Sequence, residues 1–433
     1  MPHGNKHPIK TRIIDSDQMV LQLSTFHWEG GAGVAAARLH QALLNAGVDS
    51  HLMVSEISRS GPQTTSWADS PWKSKKAWGN FVMERLSFLP YEKDKSVRFA
   101  FSPAAVGTDI ADHPLVRQVS VIHLHWINFG FLSLKSLEKL LALGKPVVWT
   151  LHDMWAFTGG CHYNRGCERY LSHCCYCPYL RKPGEYDIAF AQFEKKRDLF
   201  RRAPITFVSP SRWLGNLVQN AALTQGMPSQ AIPNCIDTDF FKPGNRDEAR
   251  KAFGLPTDKK LLLFAGANTQ DPRKGFTYFQ EAMRHPDLAD AEVVILGKGK
   301  AEDFKDIPVK THFLGKISDA NQMVQAYNAA DMLIVPSLED NLPNTIMEAM
   351  ACGTPAVGFD TGGIPEMIAH LKNGFVSAPK SASSLSEGIQ WVLNHDRDGA
   401  ISANARRKVL QHYSEGVVAR QYSQLYDSLL HGK

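Results

Sequence analysis

The chain has 433 residues, more than one hydrophobic core usually holds, so two or more domains are expected. With 43% hydrophobic and 21% charged residues the composition is that of an ordinary globular protein, which excludes a largely disordered chain. A formal net charge of +5 is a mild basic excess that suits acidic ligands or an anionic surface; with no RNA- or DNA-binding signature present, it does not argue for nucleic acid.

Residues 1–17 are polar and basic and lack the apolar run of a signal peptide, so a cytoplasmic location is expected. No stretch is long and apolar enough to span a bilayer. Apolar runs then alternate with helix-like patterns, which predicts parallel sheets with crossover helices. In the first half, strands are predicted at 20–23, 51–54, 119–124, 146–151 and 205–209, with a helix over 34–46 that ends at Gly47. The Gly-rich turn Trp28-Glu29-Gly30-Gly31-Ala32-Gly33 lies between the first strand and that helix; its glycines allow close approach of a ligand, or simply close helix–sheet packing.

Residues 72–91 combine Lys73, Lys75 and Lys76 with Trp78, Phe81, Val82, Leu86 and Leu89 at helical spacing. Such a helix could lie on an anionic membrane surface, or pack on its own domain with the lysines in water. His125 and His152 close two strands at their carboxyl ends, where open α/β sheets bind ligands. Five of the seven cysteines fall between 161 and 177. Cys161, Cys167, Cys174 and Cys177 could close around a structural zinc ion, a set that leaves no open position for catalysis. Cys174 and Cys177 also have redox-pair spacing, and reduced thiols packing a loop are the third reading.

Residues 232–237 join the halves. Two paired aspartates, Asp15 with Asp17 and Asp237 with Asp239, have the form that metal-dependent transferases of another fold use. One pair lies in a polar tail and the other in the connection, and neither is expected to hold a cation. In the second half, strands are predicted at 261–265, 293–296, 332–335, 355–359 and 374–376, and a last helix at about 415–430.

The most informative stretch runs from Pro336 to Pro355. A strand ends in a polar turn with Asp340, and a helix opens around Asn344 and Thr345 that carries Glu348. Free N–H groups at a helix N-terminus favour an anion such as a diphosphate. Two carboxylates beside it suit hydroxyl groups, and a nucleotide-sugar has all three parts. The segment resembles the donor-site signature of retaining GT-B glycosyltransferases of family 4: two acids eight positions apart, then Ala-Met-Ala-Cys-Gly-Thr-Pro. The family usually has Glu first. Here Asp340 takes that place, four residues after Pro336, and Glu339 stands one place early. The closer resemblance is to a polysaccharide-biosynthesis subgroup with a Cys-rich loop.

The resemblance implies an α/β GT-B fold, with two Rossmann-like domains whose parallel sheets face each other across a cleft. Residues 1–230 would form the acceptor-side domain, with a Cys-rich insertion at 154–180. Residues 231–412 would form the donor domain, and 413–433 a helix that crosses back. It implies a nucleotide-sugar donor, a saccharide or lipid-linked acceptor and no cofactor for catalysis; a lipid-linked acceptor would bring the enzyme to the inner membrane face, where the helix of residues 72–91 could make peripheral contact. His152, Lys274, Asp340 and Glu348 would be the catalytic set: His152 positions the sugar, Lys274 neutralises the departing diphosphate, Asp340 holds the sugar and Glu348 the ribose. Gly31, Gly33, Arg273, Asn341, Leu342, Pro343, Asn344 and Thr345 would bind the donor.

Lys274-Gly275 matches the family's phosphate loop, but position 267 is Ala where Arg is usual, and Arg273 is taken to supply that charge. Two other functions fit the same fold. A nucleotide-sugar epimerase or hydrolase would form no glycoside, and a non-catalytic binding subunit would bind donor without turnover.

Overall fold

The computed structural model describes residues 18–268 and 271–432. Its first sheet has seven strands: β1 (Val20–Ser24), β2 (Ser50–Val54), β3 (Thr64–Ser66), β4 (Val121–Leu124), β5 (Val147–Thr150), β6 (Ile205–Ser209) and β7 (Ser229–Ala231), in the order β3-β2-β1-β4-β5-β6-β7. The second has six: β8 (Lys260–Asn268), β9 (Ala291–Lys298), β10 (Thr311–Gly315), β11 (Met332–Val335), β12 (Ala356–Phe359) and β13 (Gly374–Ser377), in the order β10-β9-β8-β11-β12-β13. Neighbouring strands run parallel throughout both sheets. The parallel sheets are those the alternating pattern predicts, and their arrangement is the GT-B architecture that the resemblance implies.

Central strands such as β5 and β11 are buried along their whole length because helices cover both faces, which is why they read as unbroken apolar runs. β3, β7 and β10 are absent from the sequence reading. They are edge strands with polar or half-exposed residues, so burial imposes no pattern on them. Strand order reverses at β1 and β4 in the first sheet and at β8 and β11 in the second. Such reversals leave a crevice at the carboxyl ends of the strands.

The segment after β7 crosses to the second half, and Ile236 N–H donates to the Tyr413 carbonyl at 2.9 Å, so the outgoing and returning chains lie side by side. The last helix, Glu415–His431, then packs on the first helix, Gly30–Asn45. Val418, Tyr422 and Tyr426 share one apolar cluster there with Leu39 and Leu43. The helix Pro71–Phe88 behaves differently. It buries only Glu84 and Phe88, and leaves Trp72 67% and Trp78 69% exposed. Among the described residues no helix is long and apolar enough to cross a membrane.

Candidate active site

The carboxyl ends of β1, β4, β5, β8 and β11 open on one cleft of about 430 Å³. The first half contributes Gly30, Gly31 and Ala32 at the start of the first helix, with His152 and Asp153 after β5. The second half contributes Arg273, Lys274 and the run from Glu339 to Thr345. Twelve of the residues expected at the donor site are Gly31, Gly33, His152, Arg273, Lys274, Asp340, Asn341, Leu342, Pro343, Asn344, Thr345 and Glu348; all but Gly33 and Glu348 line this cleft.

The turn that carries Asp340 is held on both sides by glycines. Gly275 has φ +66°, and a Cβ there would lie 1.8 Å from the Pro336 carbonyl oxygen. A Cβ at Gly362 would lie 1.7 Å from the Asp340 carbonyl oxygen, so only glycine lets these backbones meet. Gly362 was not found by sequence reasoning, because the close approach is made by a chain 22 residues away.

Within this frame Lys274 Nζ donates to Asp340 Oδ2 at 2.6 Å, with the two side chains 29% and 14% exposed. Arg273 is engaged elsewhere. It donates to Asp271 Oδ2 at 2.7 Å and lies over the Tyr163 ring at 4.9 Å. Asn341 ties the halves together, accepting from Ser211 Oγ at 2.6 Å and donating to the Leu151 carbonyl at 3.3 Å. The helix Asn344–Ala351 starts at the cleft without a side-chain cap, which leaves its first N–H groups for a ligand. Asn344 reaches across and donates to the Gly31 carbonyl at 3.1 Å.

Glu348 sits behind the wall, 8% exposed. Its Oε1 accepts from Arg38 Nη2 at 2.7 Å and its Oε2 from Tyr327 Oη at 2.6 Å. Arg38 belongs to the first helix, so this buried pair joins the two halves, and Arg38 Nη1 is buried beside it with no partner among the described residues. Arg38 and Tyr327 were missed because nothing local in the sequence pairs them with Glu348. Gly33 is also away from the cleft. A Cβ there would lie 2.8 Å from Phe26 Cβ, so packing of the helix on the turn after β1 accounts for this glycine.

His152 stacks on His125 with ring centroids 5.4 Å apart, and burial pushes its imidazole down to about 4 despite the nearby Asp153 carboxylate. His125, which closes the neighbouring strand, is instead buried behind His152 and does not line the cleft. Asp153 was missed although it adjoins His152. Burial alone would raise its carboxyl, but His162, the Trp155 N–H and the Trp126 indole outweigh burial and hold it below its usual range. His162 Nδ1 lies 2.6 Å from Asp153 Oδ2 and Trp126 Nε1 lies 2.7 Å from it.

Cys161, Cys167, Cys174, Cys175 and Cys177 line a separate apolar cavity of about 20 Å³. Among the described residues, no group of three or more His, Cys, Asp or Glu is placed to hold a metal ion. Burial pushes the Cys161 thiol up to about 11 and the Cys174 thiol up to about 12. Asp237 accepts from the Asp239 and Phe240 N–H groups, both at 2.9 Å, and shapes a turn. Asp15 and Asp17 lie outside the described residues, as do Thr269 and Gln270 of the phosphate loop.

Two parallel sheets that share a cleft at their strand ends, with a final helix returning to the first half, define a protein of the GT-B glycosyltransferase class. Residues 29–240 match the model of Glycosyltransferase Family 4, and residues 245–409 match that of Glycosyl transferases group 1. The chain belongs to this family. It is 27% identical over 363 residues to an Escherichia coli glycosyl transferase assigned to colanic acid biosynthesis, covering 81% of this chain and 85% of that one. Among solved structures, sucrose-phosphate synthase from Thermosynechococcus elongatus has the same fold, with a TM-score of 0.65 at 18% identity over 96% of this chain and all of that one. HepE of Anabaena in complex with UDP-glucose aligns with a TM-score of 0.60 at 15% identity, over 95% and 99% of the two chains.

Proposed function

We propose that this protein is a retaining glycosyltransferase that moves a sugar from a nucleotide-sugar to a saccharide or lipid-linked acceptor in polysaccharide or glycolipid assembly. The observation that carries this reading is the Lys274–Asp340 pair beside the uncapped helix start at Asn344, facing Gly31 across the cleft. A departing diphosphate develops negative charge that must be met by cations or aligned N–H dipoles. Lys274 and the first N–H groups of the helix supply it, so the reading needs no metal. When the diphosphate takes Lys274, the Asp340 carboxylate is released to accept from sugar hydroxyls. His152 positions the sugar from the opposite wall. Glu348, with the unpartnered Arg38 Nη1 beside it, is the candidate ribose partner, and it would reach the ribose as Arg38 yields. The acceptor hydroxyl attacks from the leaving-group face and its proton passes to a phosphate oxygen.

In this reading residues 1–230 form the acceptor-side domain, 231–412 the donor domain, and 413–433 the returning helix. The relative assigned to colanic acid biosynthesis favours a polysaccharide pathway, and the HepE complex makes a UDP-sugar the first donor to try. Peripheral membrane contact belongs to the same proposal. Trp72, Trp78 and Leu86 are exposed on one helix, and Leu89 at its C-cap, with Lys73, Lys75 and Lys76, a composition suited to an anionic interface where a lipid-linked acceptor would be found. The test is a panel of UDP-, GDP- and ADP-sugars, scored for nucleoside diphosphate release and product anomer with lipid-linked acceptors. A glycoside of retained configuration from one donor is expected. An isomerised donor or free sugar as sole product would replace the reading with an epimerase or hydrolase, and donor binding without turnover would favour a binding subunit.

A further inference from the structure

Behind His152 runs a row of buried polar side chains that the cleft chemistry does not use. His40, Ser50, Gln22 and His125 are each 3% exposed or less. The proton on each can be placed from one end, because the row starts at a group that only accepts, the Pro62 carbonyl.

His40 Nε2 lies 3.0 Å from Pro62 O, so that nitrogen carries the proton and donates. Burial holds the His40 imidazole below its usual range although the Pro62 carbonyl favours the charged form, so the ring is neutral and Nδ1 is bare. Ser50 Oγ lies 2.9 Å from Nδ1, and its single hydroxyl proton must point there. Ser50 can then only accept from its other neighbour, Gln22, whose amide nitrogen is 2.9 Å away. That choice removes the usual ambiguity of an amide flip. Gln22 turns Oε1 to His125 Nε2 at 2.8 Å, and an amide oxygen only accepts, so His125 carries its proton on Nε2. Burial keeps His125 neutral, and its Nδ1 is bare. His152 Nε2 is 3.1 Å from that nitrogen and must supply the proton.

We infer that the Pro62 carbonyl, acting through His40, Ser50, Gln22 and His125, fixes His152 as its Nε2–H tautomer and turns a bare Nδ1 to the cleft. His152 Nδ1 has no hydrogen-bond partner among the described residues and is not among the buried unpartnered atoms. His152 therefore meets its ligand as an acceptor, which selects a hydroxyl or N–H group at that point of the sugar and rejects a carbonyl or ether oxygen. Gln22 and Ser50 are positioning residues, two and three strands away from the strand that ends at His152. The tautomer follows from the row alone; its use in sugar selection rests on the proposed placing of the donor against His152. The parallel contacts of His123 with Tyr426 and Thr150 do not enter the row, since His123 meets His125 only by a tilted ring contact.

The test is nitrogen NMR on the full chain labelled with 15N-histidine, with His152 assigned by the His152→Asn spectrum. Wild type is expected to show the His152 proton on Nε2 and a bare Nδ1. A proton on Nδ1 would overturn the inference. Ser50→Ala frees the Gln22 amide to turn, so the Nδ1–H form of His152 should appear, and Ser50→Thr should restore the wild-type spectrum. An unchanged tautomer in folded Ser50→Ala would show that the row does not set it. Should Ser50→Ala fail to fold, His40→Asn, which loses the bare Nδ1, is read in the same way. With a donor in hand, Ser50→Ala should lower kcat/KM by about tenfold, the scale of one neutral hydrogen bond, and Ser50→Thr should recover it. A wild-type Nε2–H tautomer with no effect of Ser50→Ala on kcat/KM would leave the row standing and remove His152 from sugar recognition.

Discussion

Lys274→Ala separates a catalytic role from a structural one, because the structure assigns the two effects very different sizes. In the free protein Lys274 holds Asp340 at 2.6 Å, with 29% and 14% of the two side chains exposed. A partly exposed ion pair of this kind contributes about 0–1 kcal/mol to stability. Asp340 stands on the cleft wall, so water can replace the ammonium when it is removed. For a domain of this size about 1 kcal/mol corresponds to roughly 2–4 °C in unfolding midpoint. The transition state differs, since loss of one preorganised charge-stabilising group costs on the order of 10²–10³ in kcat, or about 3–4 kcal/mol. The expected result is thus a kcat lowered by about 10²–10³ with a midpoint within about 4 °C of wild type. Nucleoside diphosphate release and scanning calorimetry on the same preparation measure both. Wild-type turnover in pure Lys274→Ala would refute the assignment. A loss of turnover accompanied by a collapse in midpoint would make Lys274 a structural residue. Asp340→Asn is the companion: it frees Lys274, so the diphosphate product should bind more tightly while transfer slows.

Arg38→Ala should show the reverse balance, since it strands the buried Glu348 carboxylate with Tyr327 alone; breaking such a pair costs about 3–5 kcal/mol, and the Arg38→Ala/Glu348→Gln double variant should recover part of the lost midpoint in calorimetry. Stability should fall as pH drops from about 6.5 toward 4, because burial pushes His152 down to about 4 and His123 to about 3. Their folded values lie below the unfolded one, so their contribution is complete above pH of about 6.5 and is lost as the pH falls through the folded values; denaturant midpoints at pH 7, 6 and 5 that do not decline would contradict this. Trp72→Ser and Trp78→Ser should each weaken cosedimentation with phosphatidylglycerol vesicles about tenfold, with no change in midpoint, because neither side chain is buried in the protein. Equal binding by the double variant would remove this helix from any membrane contact. In a timed alkylation read by mass spectrometry, the partly exposed Cys175 should react before the buried Cys174 and Cys177.

How much of the site could be read from the sequence depended on whether its parts are local. The turn and helix from Asp340 to Glu348 lie in one stretch, and strand, turn and helix start each leave a local mark. The wall opposite is built from distant pairs. Arg38 and Glu348 are 310 positions apart, Ser211 and Asn341 are 130 apart, and Gln22 and His125 are 103 apart. No periodicity encodes such pairs. The helix Pro71–Phe88 shows the same limit, since its apolar spacing was visible while the absence of a covering element among the described residues is a property of the whole fold.

The segment 154–180 shows the limit most clearly, because its cysteines drew the reading toward a metal and its other residues went unread. His162 bonds Asp153, Tyr163 lies under Arg273, and Tyr179 Oη donates to the Tyr163 carbonyl at 2.5 Å. The thiols meanwhile pack in an apolar cavity beneath. The segment therefore builds one side of the cleft floor, and it brings a first-half tyrosine against the arginine next to Lys274. A substitution in this packing, such as Cys174→Ser beside the Gly159 N–H that its sulfur accepts, should act on transfer through the placement of Asp153 and Tyr163. Changes in the cysteine cavity should then register in donor kinetics, because the same segment carries Tyr163 under Arg273.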